Sequence, residues 1–157
     1  MRIVFVCLGN ICRSPLAEGV MRHLVSAAGL SDRVSIDSAG TGAWHAGEPP
    51  DPRSVEAASR HGVSLEGQRA RQVADSDYTD ADWLLAMDAS NLATLTRRAP
   101  TRGVRARVEL LNGAPRGAGE DVPDPYYGGD EGFEQVYAMV LRACERLLVQ
   151  VQEEVAP

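Results

Sequence analysis

The chain has 157 residues, 44% hydrophobic and 24% charged, with a formal net charge of −6. That length supports one domain with a full core that needs neither disulfides nor metals. The acidic balance argues against a general binder of nucleic acid or of anionic membrane surfaces.

Every cationic side chain is arginine, so any fixed cation in a site is a fork-shaped guanidinium. Cys7, Cys12 and Cys144 are odd in number and lack scaffold-like spacing, which argues against a secreted disulfide framework. The opening MRIVFVCLGNIC is interrupted by Asn10 and Arg13 and has no small-residue cleavage site after it, so it does not read as a signal peptide. With no stretch long enough to span a membrane, a cytoplasmic protein is expected.

Residues 3–6 form a short β-branched run suited to a strand buried on both faces. A polar, glycine-containing loop follows. Ser14 is the expected N-cap of a helix, with Pro15 at its first position. Leu16, Val20, Met21, Leu24 and Val25 recur at helical spacing, and Gly29 supplies the stop. Residues 34–37 alternate as a second strand, and residues 38–50 are a loop by composition. Asp51 and Pro52 open a helix from 53 to about 60, closed by Gly62. Residues 83–87 read as a buried strand, and Asp88 and Ser90 start a helix that runs to about 98, before Pro100. Residues 107–111 are a fourth strand, and 112–130 form a long Gly/Pro-rich functional loop. Phe133, Val136, Tyr137, Val140, Leu141, Cys144, Leu147, Leu148 and Val151 share one stripe of a final helix, which makes Cys144 a core residue.

Strands alternating with helices give an α/β fold. The expectation is a single-domain three-layer sandwich over residues 1–157, with a central parallel sheet of about four strands and helices on both faces. Ligands in such folds bind beyond the carboxyl ends of the strands, where strand order switches. The loop after the first strand stands there.

That loop runs from Cys7 to Arg13 with Leu8, Gly9, Asn10, Ile11 and Cys12 between them. Successive N–H groups of a compact loop can face one centre as a nest for a tetrahedral anion, and the next helix adds its positive end. Gly9 and Asn10 tolerate left-handed backbone. Arg13 can grip two anion oxygens with parallel bonds. The same field favours a thiolate at Cys7, so the ensemble suits phosphoryl transfer to sulfur. The bland alternative is that Cys7 merely ends a buried strand and Arg13 is solvated.

VCLGNICRSP followed by LAE resembles the signature of the low-molecular-weight protein tyrosine phosphatases, and SAGTGAW, HG, MDASN and DPYYGG occur in that family's order. The resemblance covers essentially the whole chain. It implies that Cys7 attacks phosphorus and becomes a phosphocysteine, while Arg13 and the amides of Leu8 to Cys12 hold the oxygens. Ser14 would hydrogen-bond the sulfur. Asn10 would fix the left-handed turn, with Ser38 as one partner. Asp124 in DVPDPYYGG matches the family's general acid and base, with Asp121 as the local rival. Trp44, Tyr126 and Tyr127 would wall a cleft for a phenyl phosphate, unless they serve to pin loops onto the core. Many relatives have histidine where this chain has Gln68; an amide can also donate to the loop, so altered loop stability is expected rather than loss of activity.

Cys12 is either a disulfide partner that protects Cys7 from peroxide or a small buried loop residue. Asp88 is either a helix cap, the favoured reading, or a support for the residues that touch phosphate. His23, His45 and His61 form no ligand pattern, so no metal and no other cofactor is expected. Phosphotyrosine proteins are the expected partners, with a tyrosine kinase among the candidates, and a monomer is expected, without nucleic acid or membrane. Arginine phosphatase is the near rival, disfavoured by Ile11 where such relatives favour Thr. Arsenate reductase needs resolving cysteines that this chain lacks, and a non-catalytic phosphate-binding module needs neither Cys7 nor Asp124.

Overall fold

A computed structural model describes residues 1–114 and 119–157. The order of elements is β1 (Arg2–Cys7), α1 (Arg13–Ala27), β2 (Ser35–Gly40), α2 (Pro52–Arg60), α3 (Asp75–Asp80), β3 (Trp83–Ala86), α4 (Ala89–Arg98), β4 (Arg107–Leu110) and α5 (Asp130–Glu154). A single 3-10 turn, Leu111–Gly113, follows β4. The sheet order is β2-β1-β3-β4, and every pairing is parallel. This is the α/β sandwich expected from the alternation of strands and helices.

Ile3, Val4, Phe5 and Val6 are all fully buried, because β1 is central and covered on both sides. Successive side chains of a strand point to opposite faces. Accordingly Ile3, Phe5 and Cys7 join the core built with α1 and α5, whereas Val4 and Val6 join Tyr78 and Leu95 of α3 and α4. Burying each Leu- or Phe-sized side chain contributes roughly 1.5–3 kcal/mol. The two cores therefore clamp β1 from both sides and fix where it ends, at Cys7.

The chain leaves β1 toward β2 on one side and later returns to β3 on the other. The carboxyl ends of β1 and β3 thus flank a switch in strand order, where loops diverge and leave a crevice.

Three expectations are corrected and a fourth point adds an element. The first helix begins at Arg13, with Cys12 at the N-cap position and no side-chain cap, so Ser14 and Pro15 lie inside its first turn. A helix terminus that faces a ligand keeps its N–H groups free, and Ser14 is engaged elsewhere. Second, β2 runs on through Ser38, Ala39 and Gly40, whose small side chains read as loop. Their smallness serves contact: a Cβ on Gly40 would stand 2.9 Å from the Leu8 carbonyl oxygen and 3.2 Å from the Asn10 nitrogen. Third, β3 and β4 stop one residue short of the expected 83–87 and 107–111. Fourth, α3 went unread because DSDYTD offers a single large apolar residue; Tyr78 is buried and donates to the Leu95 carbonyl at 2.7 Å.

Other signals hold. Asp51 caps α2 by accepting from Arg53 N at 2.9 Å, with Pro52 at the first turn. Cys144 is fully buried in the α5 stripe, where burial pushes its thiol up. Residues 115–118 of the expected 112–130 loop lie outside the described residues.

Candidate active site

Because β1 ends at Cys7 and α1 begins at Arg13, residues 8–12 must reverse the chain tightly. Asn10 takes the left-handed conformation, with φ 57°. That costs an L-residue roughly 1–2 kcal/mol unless its surroundings hold it. Its amide supplies the hold. Oδ1 accepts from Arg71 N at 3.0 Å, while Nδ2 donates to Ser14 Oγ at 2.8 Å and to Ser38 Oγ at 2.9 Å.

The Cys7 sulfur lies 3.0 Å from Ser14 Oγ and accepts from Asn10 N at 3.3 Å. Among the described residues, the N–H groups of Leu8, Gly9, Ile11, Cys12 and Arg13 donate to no protein acceptor. Buried backbone donors are nearly always paired, so a run of unpaired ones marks a place for an acceptor from outside.

Arg13 is 2% exposed. Its Nη1 donates to Asp88 Oδ2 at 2.6 Å and to the Val122 carbonyl at 3.0 Å, and its Nη2 lies 3.7 Å from Asp124 Oδ2. The other oxygen of Asp88 accepts from Asn91 N at 2.7 Å. Asp88 is thus helix cap and guanidinium anchor at once, one role for each oxygen.

A cavity of about 270 Å³ opens above the sulfur. The loop and Arg13 form its floor, and Trp44, His45, Asp124, Tyr126 and Tyr127 form its walls. Trp44 is 71% and Tyr127 96% exposed, so neither ring is packed into the core. The Trp44 ring rests on Gly42, and Tyr126 and Tyr127 meet edge to face. The rival aspartates part company here. Asp121 Oδ1 accepts from Ala89 N at 2.9 Å and lies off the cavity, whereas Asp124, whose Oδ1 accepts from Tyr126 N at 3.1 Å, lines it.

Cys12 is buried, and its thiol is pushed up to about 12 by that burial, by Asp51 and by Cys7. Asp51 itself is held low, chiefly by the side-chain hydrogen bond from Arg53. All three cysteines are free thiols. Gln68 Nε2 donates to the Pro15 carbonyl at 3.1 Å, in the first turn of α1 rather than to the loop itself, and its Oε1 is buried without a partner.

The sequence reading missed Glu18, Arg71 and His45. Glu18 sits inside an apolar stripe, and helical periodicity counts it as an ordinary polar position. Arg71 acts through its backbone, which leaves no mark in residue type. His45 is placed by its bond to Glu48 at 2.7 Å and by its ring against Gly9, a contact between residues distant in the chain.

The sequence profile of the family described as low molecular weight phosphotyrosine protein phosphatase matches residues 2–157. A Streptomyces coelicolor relative named low molecular weight protein-tyrosine-phosphatase is 48% identical over 98% of this chain and 95% of its own length. The crystal structure of YfkJ from Bacillus subtilis aligns with a TM-score of 0.88 and 40% identity, over 99% of this chain and 96% of that one. That of DARP, a Drosophila arginine phosphatase, aligns with a TM-score of 0.89 and 34% identity, over 97% and 98% of the two chains. Profile, relative and structures agree over nearly the full length, and the chain belongs to the low molecular weight protein tyrosine phosphatase family.

Proposed function

We propose that this protein hydrolyses phosphotyrosine in proteins in two steps through a cysteinyl phosphate. The run of unpaired N–H groups around the Cys7 sulfur carries this reading. In the first step the Cys7 thiolate attacks phosphorus. The S–P bond forms as the P–O bond to the tyrosine oxygen breaks, while the loop amides and the Arg13 fork hold the remaining oxygens. Ser14 accepts from Asn10, so its own proton is free to point at the sulfur and stabilise the thiolate as nucleophile and later as leaving group.

The departing phenolate has an ordinary pKa near 10 and leaves faster with a proton. Asp124 lines the cavity and supplies it, and Asp121 is engaged at Ala89. In the second step Asp124 takes a proton from water as the water oxygen attacks phosphorus. Inorganic phosphate is released and the Cys7 thiolate is restored. Trp44, Tyr126 and Tyr127 sandwich the phenyl ring, and the apolar side chain of Ile11 on the floor suits an aryl group better than a guanidinium. Phosphotyrosine proteins in a reducing cytoplasm are then its substrates; no described helix is long and apolar enough to cross a membrane.

The test is turnover of p-nitrophenyl phosphate with EDTA present, in the parent protein and in Cys7→Ser, followed by a comparison of phosphotyrosine and phosphoarginine peptides. Activity that survives chelation, disappears in Cys7→Ser and favours phosphotyrosine supports the reading. An undiminished rate in Cys7→Ser refutes it, and a preference for phosphoarginine moves the substrate assignment. Asp124→Ala should slow aryl phosphates in proportion to leaving-group basicity, and an equal loss across leaving groups rejects Asp124 as the acid.

A further inference from the structure

Glu18 is a glutamate with 4% exposure, on the second turn of α1, and the two-step mechanism makes no use of it. Its Oε1 accepts from Ser38 Oγ at 2.7 Å, and its Oε2 lies 3.1 Å from Arg22 Nη1. Proton directions in this network follow from which groups can only donate. Arg71 N–H is donor only, so it fixes Asn10 Oδ1 toward itself and turns both Nδ2 protons toward Ser14 and Ser38. Each hydroxyl, having accepted one proton, must pass its own onward. Ser14 has the Cys7 sulfur at 3.0 Å and, farther off, the Ala39 carbonyl at 3.4 Å as acceptors and passes its proton to the nearer sulfur, and Ser38 passes its proton to Glu18.

We propose that Glu18 is a positioning residue for Cys7: as the acceptor that takes the Ser38 proton, it keeps Ser38 an acceptor for Asn10 and so orders the Asn10–Ser14–Cys7 chain. Without that acceptor the Ser38 proton is buried unpaired, and the hydroxyl loses the orientation that aims its lone pairs at the Asn10 amide. Asn10 then loses one of the bonds that pin its left-handed backbone, and with it the N–H directed at the sulfur. The charged neighbours of Glu18 are Arg22 on its own helix, Asp37 on β2 and Arg71 on the segment before α3. Burial pushes the Glu18 carboxyl up, while Ser38 and Arg22 act against the rise. What the chain requires is an acceptor, which a carboxylate, a carboxyl or an amide oxygen supplies.

The inference rests on the reading of Cys7 as a thiolate, so its test separates the two. Iodoacetate alkylation of Cys7 is followed against pH in the parent, Glu18→Leu, Glu18→Gln, Ser38→Ala, Arg22→Met and Glu18→Leu/Ser38→Ala proteins, alongside kcat/KM for p-nitrophenyl phosphate. If the parent is not alkylated at Cys7, the thiolate reading itself falls. If it is, Glu18→Leu is expected to slow alkylation near pH 6 by about fivefold, the worth of one hydrogen bond, and to move the profile to higher pH. Glu18→Gln is expected to stay within about twofold of the parent, as is Arg22→Met, since both keep an acceptor for Ser38. The double variant should be no slower than the slower of its two single variants. Glu18→Ala replaces Glu18→Leu should the latter not fold. Parent-like alkylation in folded Glu18→Leu overturns the proposal. So does a Glu18→Gln or Arg22→Met protein as slow as Glu18→Leu, because charge or ion pairing would then be the operative feature.

Discussion

Asp88 joins two functions that its neighbours separate cleanly, and dismantling it one oxygen at a time gives a graded result. In Asp88→Ala, α4 loses the cap to Asn91 N, worth about 1 kcal/mol. The buried Arg13 guanidinium also loses its shortest charged hydrogen bond, worth about 2 kcal/mol, while keeping the Val122 carbonyl and the more distant Asp124. The expected destabilisation is about 3 kcal/mol, or a fall in Tm of roughly 6–12 °C for a chain of this size. Asp88→Ser restores the cap alone, so its loss is about 2 kcal/mol. Asp88→Asn has one amide oxygen for two donors, so it keeps either the cap or the Arg13 bond and turns its NH2 toward the other donor, and its loss is about 2 kcal/mol. Urea unfolding at pH 7 with a common slope gives the three values directly. In the same series Arg13 becomes free to wander, so inhibition by inorganic phosphate should weaken in all three variants. If Asp88→Ser is as stable as the parent, Arg13 does not depend on Asp88 and the anchoring role is wrong. If it is as unstable as Asp88→Ala, the cap contributes nothing.

Gly40→Ala drives a Cβ into the Leu8 carbonyl at 2.9 Å and the Gly42 carbonyl at 3.0 Å, backbone groups that cannot swing aside. It should cost more than about 2 kcal/mol and abolish phosphate inhibition; Gly19→Ala meets its closest neighbours in side chains, Leu65 at 2.3 Å and Val63 at 3.2 Å, and should cost about half as much. Retained phosphate affinity in Gly40→Ala would contradict the close approach of β2 and the loop. Gly42→Ala collides with the Trp44 ring at 1.8 Å, so kcat/KM for aryl phosphates should drop several-fold while phosphate inhibition stays constant, and parallel losses in both would show that Trp44 is not a ring wall. Asp77 is held below the usual carboxylate range: burial acts upward, but the hydrogen bonds from Arg71 and Ala74 N and the charges of Arg71 and Arg2 outweigh it. A depressed carboxylate stabilises the fold above its unfolded pKa of about 3.9, and that contribution is lost as pH falls through the lower folded value. Asp77→Asn should therefore be less stable at pH 7 and lose less on acidification below about pH 4. An unchanged acid slope by urea unfolding counts against the Asp77 network.

The legible and illegible parts of this sequence divide along physical lines. The unbroken apolar run of β1 suits a strand covered on both faces, and Gly9 and Asn10 between it and a helix suit a tight reversal. The family's loop was thus readable from residues 3–16 alone. Ser14 reads locally as a cap because a serine before a helix ordinarily is one, and only the family resemblance aims its hydroxyl at the sulfur seven residues back, where the structure has it. Ser38 to Gly40 looked like loop because small residues signal turns, whereas here they let two backbones touch. Asp88 posed cap against support as alternatives, and only the fold brings Arg13 to its second oxygen. Glu18 and Arg71 were invisible for a related reason, since one hides in a helical stripe and the other acts through a main-chain N–H.

The central claim is that the Cys7 sulfur accepts the phosphoryl group. Rapid acid quenching of Asp124→Ala during turnover of p-nitrophenyl phosphate, followed by mass spectrometry of the peptides, tests it most directly. The outcome expected is one phosphoryl group on the peptide that carries Cys7, absent when Cys7 is serine. Phosphate found on another side chain, or burst release of p-nitrophenol without any phosphorylated peptide, would contradict the mechanism.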